Sequence, residues 1–92
     1  TYLVTGGLGS VGLEIAGYLA AHGARQLVLT GRRTPNNDTQ QRIDALHQQT
    51  GCQIRTIAAD VANPHDVARL IATIEAELPP LAGIVHAAGE IG

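Results

Sequence analysis

Thr5-Gly6-Gly7-Leu8-Gly9-Ser10-Val11-Gly12 follows directly on the apolar run Tyr2-Leu3-Val4. Four of these eight residues are glycine, so something must approach the backbone so closely that side chains have to be absent. Gly7, Gly9 and Gly12 give a Gly-x-Gly-x-x-Gly spacing between a strand-like run and a helix-like run, inside a unit of about thirty residues. One glycine permits the tight turn, another lets the backbone reach a pyrophosphate, and the third lets the following helix pack closely on its sheet. The helix N-terminus then offers free N–H groups and the positive end of its dipole to the phosphates. No Gly-Lys-Ser/Thr follows, which excludes a P-loop. The stretch is expected to hold a dinucleotide.

Outward from the loop, strand-like and helix-like runs alternate. Tyr2–Thr5 reads as a short strand. Val11, Ile15, Tyr18, Leu19 and His22 recur at helical spacing from Ser10 to His22, and Gly23 ends that helix. Gln26–Thr30 is the second strand. After the turn cluster Thr34-Pro35-Asn36-Asn37-Asp38, Asn37 or Asp38 is expected to cap a helix with Ile43, Ala45 and Leu46 on one side. Gly51 closes it, and Gln53–Ala58 is the third strand. Asn63-Pro64-His65-Asp66 starts the next helix, with a capping Asn, a Pro in the first turn and an acid near the positive end. Val67, Leu70, Ile71, Ile74 and Leu78 follow at helical spacing, Pro79-Pro80 stops the helix, and Leu81–Ala87 is the fourth strand. The pattern β-α-β-α-β-α-β implies a parallel sheet with helices on both faces.

The end of the second strand indicates which dinucleotide. A unit that binds NAD places an Asp or Glu against the ribose 2′-OH about twenty residues past the loop. Here the strand ends Leu29-Thr30-Gly31-Arg32-Arg33, with no acid and two arginines. A guanidinium is a forked, permanently charged donor suited to a phosphate, so NADP is expected rather than NAD. Asp60-Val61 follows the third strand, where Asp60 serves equally well to satisfy loop amides. His86-Ala87-Ala88-Gly89 follows the fourth. Small residues there allow a nicotinamide ribose to lie against the backbone at the carboxyl end of the sheet. His86 is given no proton-transfer role.

Composition limits the rest. Ninety-two residues make at most one small domain. With no Phe, Trp or Met, the core must be built from Leu, Ile, Val and Ala. A net charge of −2 gives no basic footprint, so nucleic acid is not an expected partner. No metal site is expected. Cys52 is alone, which excludes an intrachain disulfide and fits a small buried thiol in a reducing cytoplasm. No run approaches the ~20 apolar residues of a membrane span, and no signal peptide is recognisable. The chain lacks methionine and begins almost on its first strand, so it is expected to be a fragment of a larger domain and of a longer protein.

Four stretches together carry a resemblance. Thr5-Gly6-Gly7-Leu8-Gly9-Ser10-Val11-Gly12, Leu27-Val28-Leu29-Thr30-Gly31-Arg32-Arg33, Ala59-Asp60-Val61 and Gly83-Ile84-Val85-His86-Ala87-Ala88-Gly89 resemble short-chain dehydrogenase/reductases. More narrowly, they resemble the ketoreductase domain of modular polyketide synthases, over essentially the whole chain. Stand-alone members typically read Thr-Gly-x-x-x-Gly-x-Gly and Asn-Ala-Ala-Gly, whereas this chain has Ser10 at the second glycine of that pattern and His86 before Ala-Ala-Gly. Sugar-nucleotide epimerases share the loop but usually carry an Asp after the second strand, where this chain has Gly31-Arg32-Arg33.

The resemblance implies a partial Rossmann-type α/β fold with strand order 3-2-1-4 and further strands pairing with the fourth. It implies that Thr5 and the loop Gly6, Gly7, Leu8, Gly9, Ser10, Val11 and Gly12 bind the pyrophosphate of NADP(H). Gly31, Arg32 and Arg33 would lie at the adenosine 2′-phosphate, Asp60 and Val61 at the adenine, and His86, Ala87, Ala88 and Gly89 at the nicotinamide ribose. The family often has Ser where Gly31 stands, so one phosphate hydrogen bond would be missing. Leu-Asp-Asp, which accompanies one product configuration in some members, is replaced by Glu90-Ile91-Gly92.

The implied reaction passes hydride from NADPH to the β-keto carbon of a thioester held by an acyl carrier protein on a phosphopantetheine arm. The remaining synthase domains would lie in the same chain. A Tyr acid, a nearby Ser and a Lys serve the family's chemistry. This chain has no Lys, its tyrosines are Tyr2 and Tyr18, and its one serine is Ser10. None fits those positions, so no catalytic residue is assigned. A free-standing NADPH-dependent reductase of a diffusible ketone or sugar nucleotide, and a reductase-like scaffold or cofactor sensor without catalysis, stay open as alternatives.

Overall fold

The computed structural model describes residues 1–6, 8, 10–32 and 35–87. Its elements are β1 (Tyr2–Thr5), α1 (Ser10–Ala21), β2 (Gln26–Gly31), α2 (Asn37–Thr50), β3 (Gln53–Ala58), α3 (Pro64–Glu77) and β4 (Gly83–His86). All pairings are parallel, in the order β3-β2-β1-β4. This is the expected order. The two central strands are covered on both faces, which demands continuous apolar runs. Leu3-Val4 of β1 and Leu27-Val28-Leu29 of β2 supply them, all buried.

Successive strand residues point to opposite faces, so the sheet separates two cores. On one face Val4, Leu27 and Leu29 pack with Leu13, Ala16 and Ala20 of α1, Ile43 of α2 and Cys52. On the other, Leu3 and Val28 pack with Leu70 and Ile74 of α3. The helices α1 and α2 thus lie on one side and α3 on the other. The Cys52 thiol is buried, as expected.

Helix α1 meets the sheet through small residues. Gly12, Ala16 and Ala20 are buried alongside Leu13, while Val11, Tyr18 and His22 from the helical-spacing set lie exposed. Only Ile15 and Leu19 of that set pack against the core. The two alanines let the helix axis approach the strands beside Leu13, while Val11 and Tyr18 stay on the outer face. There Tyr18 stacks on His22 with ring centroids 4.0 Å apart.

The helix ends follow local chemistry. The cap of α2 is Asn36, not Asn37 or Asp38. Its backbone is extended, and its side-chain oxygen accepts from the Thr39 N–H at 2.8 Å. Asn37 is already helical and has lost the geometry a cap needs. Ala45 is exposed, so Ile43 and Leu46 alone face inward. Gly51 closes α2 at φ 75°, a left-handed conformation that favours glycine. Asn63 caps α3 with Pro64 in the first turn, as expected. β2 extends one residue further than the sequence indicated, because Gly31 pairs with Ala58. β4 is shorter, although Ala82 N–H donates to the Thr1 carbonyl at 2.7 Å and Ala87 N–H to the Thr5 carbonyl at 2.9 Å. Among the described residues β4 pairs only with β1, and Ile84 is 58% exposed beside that open edge. No described helix is long and apolar enough to cross a membrane.

Candidate functional site

Because every strand runs the same way, all four carboxyl ends share one edge. The turn holding Gly6 and Leu8 follows β1, Arg32 follows β2, Asp60 and Val61 follow β3, and Ala87 follows β4. Read along that edge, the order is Asp60-Val61, Arg32, glycine loop, His86-Ala87. The chain turns from β1 toward β2 on one side, and from β3 it crosses to β4 on the other. The carboxyl ends of β1 and β4 therefore flank the crevice where open α/β sheets take ligands. Residues from both ends of the chain meet here. Gly7, Gly9, Arg33, Ala88 and Gly89 belong to the same predicted set but lie outside the described residues.

Gly6 adopts φ 70°, which only glycine adopts without strain, and it turns the chain out of β1. Gly12 is buried within the first turn of α1. The first turn of α1 carries no acidic side chain, so no carboxylate of that turn competes with an anion at its positive end. Arg32 is exposed in a bend just past β2, and neither Gly31 nor Arg32 brings an acid to the place where a ribose 2′-OH would need one. These features suit a phosphorylated dinucleotide. The lack of an acid at Gly31-Arg32 is the part of the fit that bears on a 2′-phosphate.

Gly31 has a second role that the sequence does not show. A Cβ at this position would meet the Leu8 side chain at 3.0 Å from Cδ1 and 3.3 Å from Cβ. Leu8 folds from the loop onto the end of β2 and reaches the core on that face. A serine here would displace it.

Thr5, Thr30 and His86 form one row across the sheet. The Thr5 hydroxyl lies 2.5 Å from His86 Nδ1 and 3.5 Å from the Val85 carbonyl oxygen. Thr30 is fully buried, and its hydroxyl has no hydrogen-bond partner among the described residues. An unmatched buried hydroxyl costs about 1–3 kcal/mol. Nothing in the sequence signals it, since Thr30 reads simply as a β-branched strand residue.

After β3 the backbone is pinned. Ala59 N–H donates to the Gly31 carbonyl at 2.8 Å, and Asp60 N–H donates to Asp66 Oδ2 at 2.9 Å. Asp60 Oδ1 accepts from Ala62 N–H at 3.0 Å, and the Asp60 carbonyl accepts from Asn63 N–H at 2.9 Å. Asp60 does satisfy a loop amide, the more ordinary of its two expected roles. Its Oδ2 makes no hydrogen bond among the described residues, and Val61 beside it is 37% exposed. At the opposite end of the sheet a separate cavity of about 540 Å³ opens between the ends of α1 and α2. It is lined by Arg25, Gln26, Thr50 and Cys52 among others and shares no residue with the carboxyl edge.

Comparisons with known proteins bear on the family and fold of this chain. A family profile described as KR domain matches residues 1–92. The 6-methylsalicylic acid synthase of Aspergillus terreus is 39% identical over 97% of this chain, which corresponds to 6% of that synthase. A phenolphthiocerol/phthiocerol polyketide synthase of Mycobacterium tuberculosis is 40% identical over 96% of this chain and 5% of its own length. Among solved structures, a ketoreductase domain from the bacillaene assembly line superposes with a TM-score of 0.90 at 37% identity, covering 99% of this chain and 22% of that one. The L-sorbose reductase of Gluconobacter frateurii, complexed with NADPH and L-sorbose, gives 0.81 at 27% identity, over 99% of this chain and 34% of its own. The chain thus spans only a small part of the length of each of these proteins.

Proposed function

The chain belongs to the KR-domain family, and from that membership we propose that it is the NADPH-binding segment of a β-ketoacyl reductase within a polyketide synthase. The observation that carries this reading is the order of groups along the carboxyl edge, with Arg32 and no carboxylate after β2. The likeness to an NADPH-complexed reductase supports the same cofactor.

In this reading the Gly6–Gly12 loop and the start of α1 hold the pyrophosphate through backbone N–H groups. Arg32, with Arg33, binds the 2′-phosphate as a charged donor pair. Asp60 and Val61 border the adenine, Val61 giving an apolar flank. His86, Ala87, Ala88 and Gly89 border the nicotinamide ribose, and the Thr5–His86 contact fixes where that stretch leaves β4. When bound, the nicotinamide supplies the hydride that turns the β-keto group into a β-hydroxy group.

The proton donor that completes this reduction is not assigned to the chain. Tyr2 lies on β1 and Tyr18 on the outer face of α1, both away from the carboxyl edge, and there is no lysine. In the proposal, residues 1–92 are one part of a larger reductase domain that supplies the acid. That domain works in the cytoplasm beside the other synthase domains and takes its substrate from an acyl carrier protein on a phosphopantetheine arm. The 22% coverage of the solved ketoreductase supports a larger domain.

The test uses the polypeptide that carries this chain. It is given NADPH and either a carrier-bound β-ketoacyl thioester or a free ketose, and the product is read by mass spectrometry. Reduction of the thioester is expected. Reduction of the ketose alone would make the protein a reductase of diffusible ketones, and binding of NADPH without turnover of either would make it a cofactor-binding scaffold.

A further inference from the structure

We propose that Asp66 is a positioning residue for the adenine end of the cofactor, acting by locking the backbone of Asp60. The proposal rests on the reading of the carboxyl edge as an NADPH site. Asp66 is the third residue of α3, following the cap Asn63, then Pro64 and His65. A side-chain acceptor at this position commonly turns back to the N–H of the capping residue. Here that N–H is already taken by the Asp60 carbonyl at 2.9 Å. Asp66 Oδ2 reaches past the cap and accepts from the Asp60 N–H at 2.9 Å, while its Oδ1 lies 3.3 Å from Arg69 Nη2.

Both backbone hydrogen-bonding groups of Asp60 are therefore committed, and its Oδ1 takes the Ala62 N–H. One residue earlier, Ala59 N–H is bound to the Gly31 carbonyl, directly before Arg32. The turn is fastened to α3 on one side and to the end of β2 on the other. Val61 stays exposed at its apex and Asp60 Oδ2 stays uncommitted among the described residues. A surface ordered before the ligand arrives spares the ordering cost of binding. Asp66 stands behind this turn, its carboxylate occupied by Asp60 and Arg69, so it would influence binding without touching the cofactor.

The test titrates NADPH, adenosine 2′,5′-bisphosphate and reduced nicotinamide mononucleotide into the reductase that carries this chain, as wild type, Asp66→Ala and Asp66→Asn. Asp66→Ala is expected to weaken NADPH and the adenosine fragment by about tenfold, the size of one lost charge-assisted hydrogen bond. The nicotinamide fragment should bind as before. Asp66→Asn keeps an acceptor oxygen and should restore most of the loss. At saturating NADPH, kcat should hold while KM for NADPH rises. Wild-type affinity for the adenosine fragment in Asp66→Ala, or an equal loss for both fragments, overturns the proposal. Should Asp66→Ala fail to fold, Asp66→Glu keeps the charge but displaces the carboxylate by a methylene, and unchanged adenosine-fragment affinity there overturns it. A wild-type protein that binds neither NADPH nor the adenosine fragment overturns the site reading itself, a result distinct from the others.

Discussion

The Thr5 hydroxyl lies 2.5 Å from Nδ1 of His86 and joins the ends of β1 and β4 at the carboxyl edge. One backbone bond, from Ala87 N–H to the Thr5 carbonyl at 2.9 Å, runs beside it. Thr5 is buried and His86 exposed, so the hydroxyl adds a side-chain tie to the strand pairing that already places His86. Thr5→Val preserves shape and removes the bond, and it is expected to cost about 1 kcal/mol in urea unfolding. In a double-mutant cycle with His86→Ala, a coupling of similar size, about 1 kcal/mol, is expected. Independent effects would show that the short contact contributes nothing.

Leu8 and Gly31 form the second relationship open to mutation. Since a Cβ at position 31 would stand 3.0 Å from Leu8 Cδ1, Gly31→Ser alone should destabilise the protein by about 1 kcal/mol, the scale of mild overpacking. Paired with Leu8→Ala the same serine should fit, and the double variant should be more stable than the sum of the single effects implies. Thermal unfolding of the four proteins reads this directly. Strict additivity would place the Leu8 side chain elsewhere.

Ile74 is fully buried in the core beneath α3, whereas Tyr18 on α1 is 63% exposed. Ile74→Ala is expected to cost about 2–5 kcal/mol, a large share of the ~5–15 kcal/mol that holds a domain folded. Tyr18→Ala should change stability by no more than about 0.5 kcal/mol. Comparable losses at both positions would contradict the assignment of the inner face of α1.

Burial pushes the Cys52 thiol up from its ordinary value, because the thiolate would have to leave water. The folded state therefore favours the protonated thiol. Stability is unaffected by this group below the thiol's unfolded pKa and is lost progressively as pH rises from there through the higher folded value. It should fall across that alkaline window more steeply than in Cys52→Ala. At neutral pH, a thiol reagent should modify Cys52 only as fast as the protein opens.

Much of this was readable in the sequence because parallel sheets are written in continuous apolar runs and glycine punctuation. Leu27-Val28-Leu29, Gly51 and Asn63-Pro64 each announced their structure, and the carboxyl-edge order followed from the alternation of elements together with the family's strand order. The side of α1 that meets the sheet was not readable. Its contact is made by Leu13, Ala16 and Ala20, of which the two alanines carry almost no hydrophobic signal, while Val11 and Tyr18 carry one and lie outside. Asp66 read as an acid suited to the positive end of α3, and its reach to Asp60 depends on a turn geometry that spacing does not encode. The Leu8–Gly31 contact was hidden for a similar reason, since two elements far apart in sequence must be placed before an absent Cβ has any meaning.

Arg32 stands exposed at the end of β2 with no carboxylate in place of Gly31. The reading of this edge as a 2′-phosphate site is tested most directly by titrating NADPH and NADH into the reductase carrying this chain, as wild type and as Arg32→Ala. Wild type should prefer NADPH, and Arg32→Ala should lose roughly 2 kcal/mol of NADPH affinity, on the order of thirtyfold, with little change for NADH. Equal affinity for the two cofactors in wild type, or equal losses for both in the variant, would contradict it.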